Sequence, residues 1–245
     1  MVDGGDQAPE TGEQPPEQGG RPLVGYVVAG MLVLIALIGA ITLLAGGSDS
    51  DVASSGGPDP DGDVVQVDRS KDLLPDGGLF ATPREVESVG AAAEAAGCDL
   101  ERFAVKSRGH IKRLDEDVDY TSNPPTSGRH YPIPAADAAY EDAPNVKLLV
   151  HTLEHSRVIV WFQPELPREA RAALKAFYDH DSDRLLLVPD STDMPYEVAA
   201  SAWNAKPKPY GTGRLLGCPE YDDELFTALE AFKDRHRGRG PEPIP

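Results

Sequence analysis

The hydrophobic residues of this chain sort into one long unbroken run, several short apolar blocks and a few stretches of helical period, with polar segments between them. The unbroken run covers residues 23–45, LVGYVVAGMLVLIALIGAITLLA, and holds no charged side chain. A helix rises about 1.5 Å per residue, so about 20 residues cross a hydrocarbon layer of about 30 Å. Inside lipid, only a helix satisfies every backbone group of such a segment. The run therefore predicts one transmembrane helix. It is longer than the apolar core of a cleaved signal peptide and follows a long polar stretch, which favours an uncleaved anchor. Arg21 on one flank, against GGSDSD on the other, points the N-terminus into the cytoplasm.

The pattern after residue 63 is that of a folded domain with mixed elements. Residues 84–96 (REVESVGAAAEAA) predict a helix opened by Pro83 and closed by Gly97. A strand is expected near residues 100–105. The β-branched and aromatic run VIVWF predicts a buried strand over 158–162. Residues 167–178 read as a helix with an Ala/Leu/Phe face, and RLLLV at 184–188 as the next strand. Together these make a strand–helix–strand unit. Residues 197–203 read as a further strand. Residues 221–235 (YDDELFTALEAFKDR) form an amphipathic helix with acids in the first turn and bases in the last. Residues 146–150 are apolar. Residues 115–134, carrying Pro124, Pro125, Gly128, Pro132 and Pro134, read as a long structured loop of the kind that often carries function.

The fold expected is α+β (or α/β), one ectodomain preceded by one transmembrane helix. Residues 1–22 are a disordered cytoplasmic tail, 23–45 the transmembrane helix, 46–63 a flexible acidic linker, 64–238 the extracytoplasmic globular domain and 239–245 a loose C-terminus. Tail and linker are poor in large apolar side chains and cannot bury enough surface to offset their ordering entropy.

Charge changes the picture by exclusion. The net charge is −18, and residues 46–63 hold five Asp and no base. Nucleic-acid binding needs clustered Lys and Arg, so no nucleic-acid partner is expected. The acidity reads as solubility. The two cysteines, Cys98 and Cys218, lie near the two ends of the domain. In an oxidising compartment outside a membrane they are expected to form one disulfide. The alternative is two independent buried thiols.

Chemistry concentrates in the histidines. Four of the six, His110, His130, His151 and His155, fall within 46 residues, and Glu154 sits between the last two in HTLEH. Neutral imidazole is the commonest protein ligand for zinc or copper, and three imidazoles plus a carboxylate or water fill a tetrahedral site. Residues four apart share a face in helix and strand, but a helix sets them about 6 Å apart along its axis and a strand about 13 Å. The metal reading therefore requires a helical turn or bend at 151–155. The ligands expected are His130, His151 and His155, with His110 as a further candidate and Glu154 as orienter or, in an enzyme, as the catalytic base. HTLEH matches the inverted zinc-protease pattern, in which Glu is a general base. That motif belongs in a long helix, whereas here a strand follows at once. Under the competing reading the histidines are structural and Glu154 pairs with Arg129 or Arg157. Met194 is a soft candidate ligand, more simply read as core filler. The run Asp115–Asp119 lacks the EF-hand pattern and reads as a solvated loop.

Two segments carry a family resemblance: YTSNPPTSGRHY at 120–131 and LVHTLEHSRVIV at 149–160. With the upstream apolar anchor and the Gly97–Cys98 pair, they resemble an uncharacterised family of bacterial membrane-anchored proteins, domain of unknown function 3105. That family's pattern is a Y…PPTSGPHY loop followed by V-H-x-L-E-H-G entering a strand. Arg129 stands where the family usually has Pro, and Ser156 where it usually has Gly. If that Gly serves a left-handed turn, Ser is strained there. The resemblance implies membership and brings no established activity. Pro124–Pro125 stiffens the loop and Thr126, Ser127 and Gly128 turn it, so it is expected to fold over HTLEH and present His130 to His151 and His155.

The sequence thus predicts a single-pass cell-membrane protein with its C-terminal domain outside and a His-lined site for zinc or copper. The rival is a non-enzymatic cell-envelope module in which the loop contacts a protein partner. An enzyme is the weaker expectation, with metal-dependent hydrolase the nearest class.

Overall fold

The computed structural model describes residues 74–244. The predicted tail, transmembrane helix and linker (1–63) lie outside the described residues. Among those described, no helix is long and apolar enough to cross a membrane.

Nine elements follow one another: α1 (Val89–Ala95), β1 (Asp99–Ala104), α2 (Val146–Glu154), β2 (Val158–Phe162), α3 (Arg168–His180), β3 (Leu185–Pro189), β4 (Val198–Asn204), β5 (Thr212–Cys218) and α4 (Leu225–His236). The strands form one mixed sheet in the order β1-β5-β4-β2-β3. Only β2 and β3 are parallel, joined through α3 as the strand–helix–strand pattern required. The other three pairings are antiparallel. This is an α+β arrangement.

Period-2 alternation splits the sheet into two apolar faces. Val158, Val160, Phe162, Leu185, Leu187, Val198 and Ala200 face one cluster with α1, α3 and α4. Ile159, Trp161, Leu186, Val188, Ala199 and Trp203 face the other, covered by α2 and the long loop. Both faces are covered, which is why β2 and β3 read as unbroken apolar runs. The free edge of β3 is blunted by the loop, where Tyr140 N–H donates to Leu187 O at 2.8 Å.

Several expectations are corrected. The first helix begins at Val89, not Arg84, because Ser88 caps it by accepting from Ala91 N–H at 3.1 Å. Arg84 is instead spent on long-range contacts, its N–H donating to Thr227 Oγ1 at 3.2 Å. Strand β5 had no sequence signal, since TGRLLGC does not alternate cleanly, yet it is central in the sheet. Residues expected to be loose at the C-terminus are tied down: Glu242 N–H donates to Glu154 O at 2.9 Å, and Arg157 Nη1 to Ile244 O at 2.7 Å. Cys98 and Cys218 form a disulfide, closing a separation of 120 residues. It clips edge strand β1 to β5, where Asp99 pairs in register with Gly217.

Candidate metal centre

The site is assembled from the C-terminal half of α2 and two points on the loop between β1 and α2. Asn145 caps α2 by accepting from Lys147 N–H at 3.0 Å. The helix runs through Glu154, so His151 and Glu154 share one helical turn. His155 is its C-cap, where the backbone leaves the helical conformation at φ −79°, ψ 24°. Ser156 then turns left-handed, at φ 72°. This is the turn a glycine would suit. Ser156 holds it because its hydroxyl accepts from Gly240 N–H at 3.0 Å and its carbonyl accepts from Gly238 N–H at 2.9 Å. Leu148 through Glu154 are all buried, so the polar stripe of α2, Lys147, His151 and Glu154, points into the domain rather than to solvent.

The loop is fixed by packing as much as by its prolines. Pro124, Pro125, Thr126 and Ser127 are buried. A Cβ on Gly213 of β5 would lie 2.1 Å from Thr126 Oγ1, so glycine at that position lets the turn rest on the strand backbone. His110 and His130 form an isolated parallel bridge, with Ile111 N–H donating to His130 O at 2.8 Å. Tyr131 N–H then reaches Lys147 O of α2 at 3.2 Å.

These contacts bring one ligand atom each from His110, His130, His151 and Glu154 within 4.8 Å of one another. His130 is 0 % exposed, Glu154 1 % and His151 5 %, while His110 is exposed and stands at the mouth. His155 does not join the four. Its ring lies edge-on to His151 at 4.4 Å between centroids, and its Nε2 faces Glu242 at 3.7 Å. Ligands about 2.0–2.2 Å from a tetrahedral ion stand roughly 3.3–3.6 Å apart, so to share one the widest pair must close by about an ångström, and His130 Nε2 and Glu154 Oε2, now 2.9 Å apart, must open.

The tautomers are set by the backbone. His130 Nδ1 lies 2.8 Å from Gly128 O, and His151 Nδ1 lies 2.8 Å from Tyr131 O. A carbonyl only accepts, so each Nδ1 carries the proton and each Nε2 offers a lone pair in the neutral ring. Backbone-oriented imidazoles of this kind are the usual support for metal ligands. Burial, and after it the neighbouring imidazoles of His130 and His155, push His151 down to about 3, so it is neutral at physiological pH. Burial also lowers His155.

Glu154 has two distinct oxygens. Oε1 accepts from Arg108 Nε at 2.6 Å, and Oε2 lies 2.9 Å from His130 Nε2. That second contact is within ion-pair reach, and no other partner reaches the buried His130 Nε2. Burial works to raise the Glu154 carboxyl, but a doubly protonated His130 and Arg108 outweigh it and hold it below the ordinary value. Arg108 also reaches Glu242 at 2.9 Å. The partners the sequence suggested for Glu154 are elsewhere: Arg129 meets Glu116 at 3.3 Å and Arg157 meets Asp137 at 3.1 Å. Arg108 and Glu242 had no sequence signal at all, lying 46 residues before Glu154 and at the far C-terminus. Met194 is buried in the apolar core, and Asp115 is taken up by Arg113 at 2.7 Å.

The sequence pattern of a family described as "Protein of unknown function (DUF3105)" matches residues 111–244, more than half of the chain. The chain belongs to this family. No curated protein and no solved structure matches it. The matched DUF3105 region holds His130, His151 and Glu154 and begins one residue after His110, so His110 and Cys98 come from sequence just ahead of it.

Proposed function

We propose that this DUF3105 protein is a single-pass, extracytoplasmic membrane protein whose domain binds one transition-metal ion, zinc or copper, through His110, His130, His151 and Glu154. One observation carries the metal reading. The fully buried His130 Nε2, its Nδ1 proton committed to Gly128 O, faces a carboxylate oxygen at 2.9 Å and has no other partner. A lone pair against a carboxylate is repulsive unless a cation, either a second ring proton or a metal ion, joins them, and the convergence of His110 and His151 within 4.8 Å favours the metal ion. Imidazole and carboxylate together suit zinc or copper(II). The apolar run at 23–45 supports the anchor, and the disulfide supports an oxidising compartment.

Glu154 suits a ligand better than a general base, because Arg108 holds Oε1 and its carboxyl is held low. That weighs against hydrolase chemistry of the inverted zinc-protease kind. The reading in which the PPTSGRHY loop recognises a protein partner is disfavoured by burial of Pro125, Thr126, Ser127, His130 and Tyr131. The remaining alternative is a doubly protonated His130 closing a structural His130–Glu154–Arg108 cluster.

The test uses the full chain in neutral detergent, stripped with chelator and titrated with Zn²⁺ and Cu²⁺ by calorimetry, with elemental analysis of the untreated protein. One ion per chain is expected, with binding abolished in His130→Ala. No binding tighter than about 1 mM would end the proposal in favour of the structural cluster.

A further inference from the structure

Away from the histidines, at the junction of α1, α4 and the β1–β5 edge of the sheet, lies a groove of about 880 Å³. That is within the range of small-molecule sites. Its walls include five arginines; Arg84 pairs with Glu224, which leaves four: Arg102, Arg214, Arg235 and Arg239. The register of the sheet sets Arg102 on β1 directly opposite Arg214 on β5. Like charges directly opposite across strands are destabilising. In a chain of net charge −18, a carboxylate between them would be the ordinary remedy.

Among the described residues, none of these four guanidinium groups has an ion pair. The acids on the same wall are used elsewhere: Glu230 lies 2.9 Å from Lys233, and Asp234 lies 3.6 Å from Arg237. The other lining acids, Glu85 and Glu87, precede α1. Arg214 is only half-buried, yet its Nε is sealed from solvent without a hydrogen-bond partner. The register and the shared lining bring Arg102, Arg214 and Arg235 together, and burial, then the charges of Arg102 and Arg235, lower the Arg214 pKa.

We infer that this groove is an anion site for a soluble ligand with a multiply charged phosphate group, gripped by Arg102, Arg214 and Arg235. Guanidinium groups bind phosphate oxygens in pairs of parallel hydrogen bonds, so a single polyanion can satisfy several forks at once. It would supply the missing partner for Arg214 Nε and relieve the repulsion across β1 and β5. His236 at the floor of the groove accepts at Nδ1 from Asn204 Nδ2 at 3.1 Å and is held neutral, so the positive charge comes from the arginines alone. Nothing in this inference depends on the metal site.

The test titrates the full chain in neutral detergent, with chelator present and ionic strength fixed, with sodium pyrophosphate, inorganic phosphate, citrate and glycerophosphoglycerol. Pyrophosphate is expected to bind with Kd below about 1 mM, unchanged in His130→Ala and weakened at least about tenfold in Arg214→Gln and Arg235→Gln. Arg235 is an exposed residue on α4, so its variant folds even if Arg214→Gln does not. No pyrophosphate binding, or binding insensitive to both arginines, overturns the inference. Equal binding of citrate overturns the preference for phosphate. Equal or tighter binding of the diester would reassign the groove to a lipid headgroup and overturn the soluble ligand.

Discussion

Replacing Glu154 by Gln keeps the shape of the side chain and removes its charge, so it isolates what that carboxylate does. In the metal-free domain Glu154 is 1 % exposed and holds Arg108 Nε at 2.6 Å. Breaking a fully buried ion pair by removing one partner costs about 3–5 kcal/mol, because the other charge is stranded. Here the Arg108 side chain retains 29 % of its exposure and keeps Glu242 as a second partner. The stranded charge is therefore partly solvated, and the loss should fall to about 2–3 kcal/mol. For a domain of this size that is a fall in Tm of about 4–12 °C. Urea denaturation of wild type, Glu154→Gln, Arg108→Ala and the double variant, all with chelator, closes a double-mutant cycle. The coupling expected is at least about 1 kcal/mol. In the same set, Arg108→Ala should weaken zinc binding by about 10–100-fold, as outer partners of ligands do, and Glu154→Gln by more. A Glu154→Gln cost under about 0.5 kcal/mol, or zero coupling to Arg108, would refute the assignment of Glu154 as the buried anionic anchor of the site.

Replacing both cysteines by Ser removes a cross-link spanning 120 residues, for which chain entropy gives a loss of about 5 kcal/mol, read as a fall in the urea midpoint. In acid, His151 and His236 are both held near 3 in the folded chain against an ordinary 6.5, chiefly by burial. Between those values the unfolded chain takes protons the folded chain refuses, so their contribution is complete above about pH 6.5 and is lost as pH falls. Each should cost about 2 kcal/mol between pH 7 and pH 5 in the metal-free chain, and a flat stability profile there would contradict it. At the left-handed Ser156, Gly should be near neutral, since relief of strain offsets the lost hydroxyl bond to Gly240. Ala keeps the strain and loses the bond, and should cost about 1–3 kcal/mol by thermal melt.

Local chemistry made much of this protein legible from its residues. VIVWF and RLLLV could only be buried strands, because β-branched and aromatic runs of that length need apolar cover on both faces. The charge gradient along 221–235 and the apolar face of 167–178 marked α4 and α3 within a few residues. The HTLEH spacing and the stiff proline turn named His130, His151 and His155, with Glu154 beside them, as one constellation. Two elements left no such trace. Helix α2 is only nine residues long and buries its polar face, so it does not read as a surface helix, and β5 has Gly213 where Thr126 packs against its backbone. Tertiary structure alone decided that His110 joins the site while His155 turns away to Glu242, and that Arg108 anchors Glu154 across 46 residues. It also set Arg102 opposite Arg214. The physical reason is the same throughout. Periodicity and turn chemistry act over a few neighbours along the chain and are written in its order. Convergence of side chains depends on sheet register and on how a long loop packs, which are settled by the whole core at once.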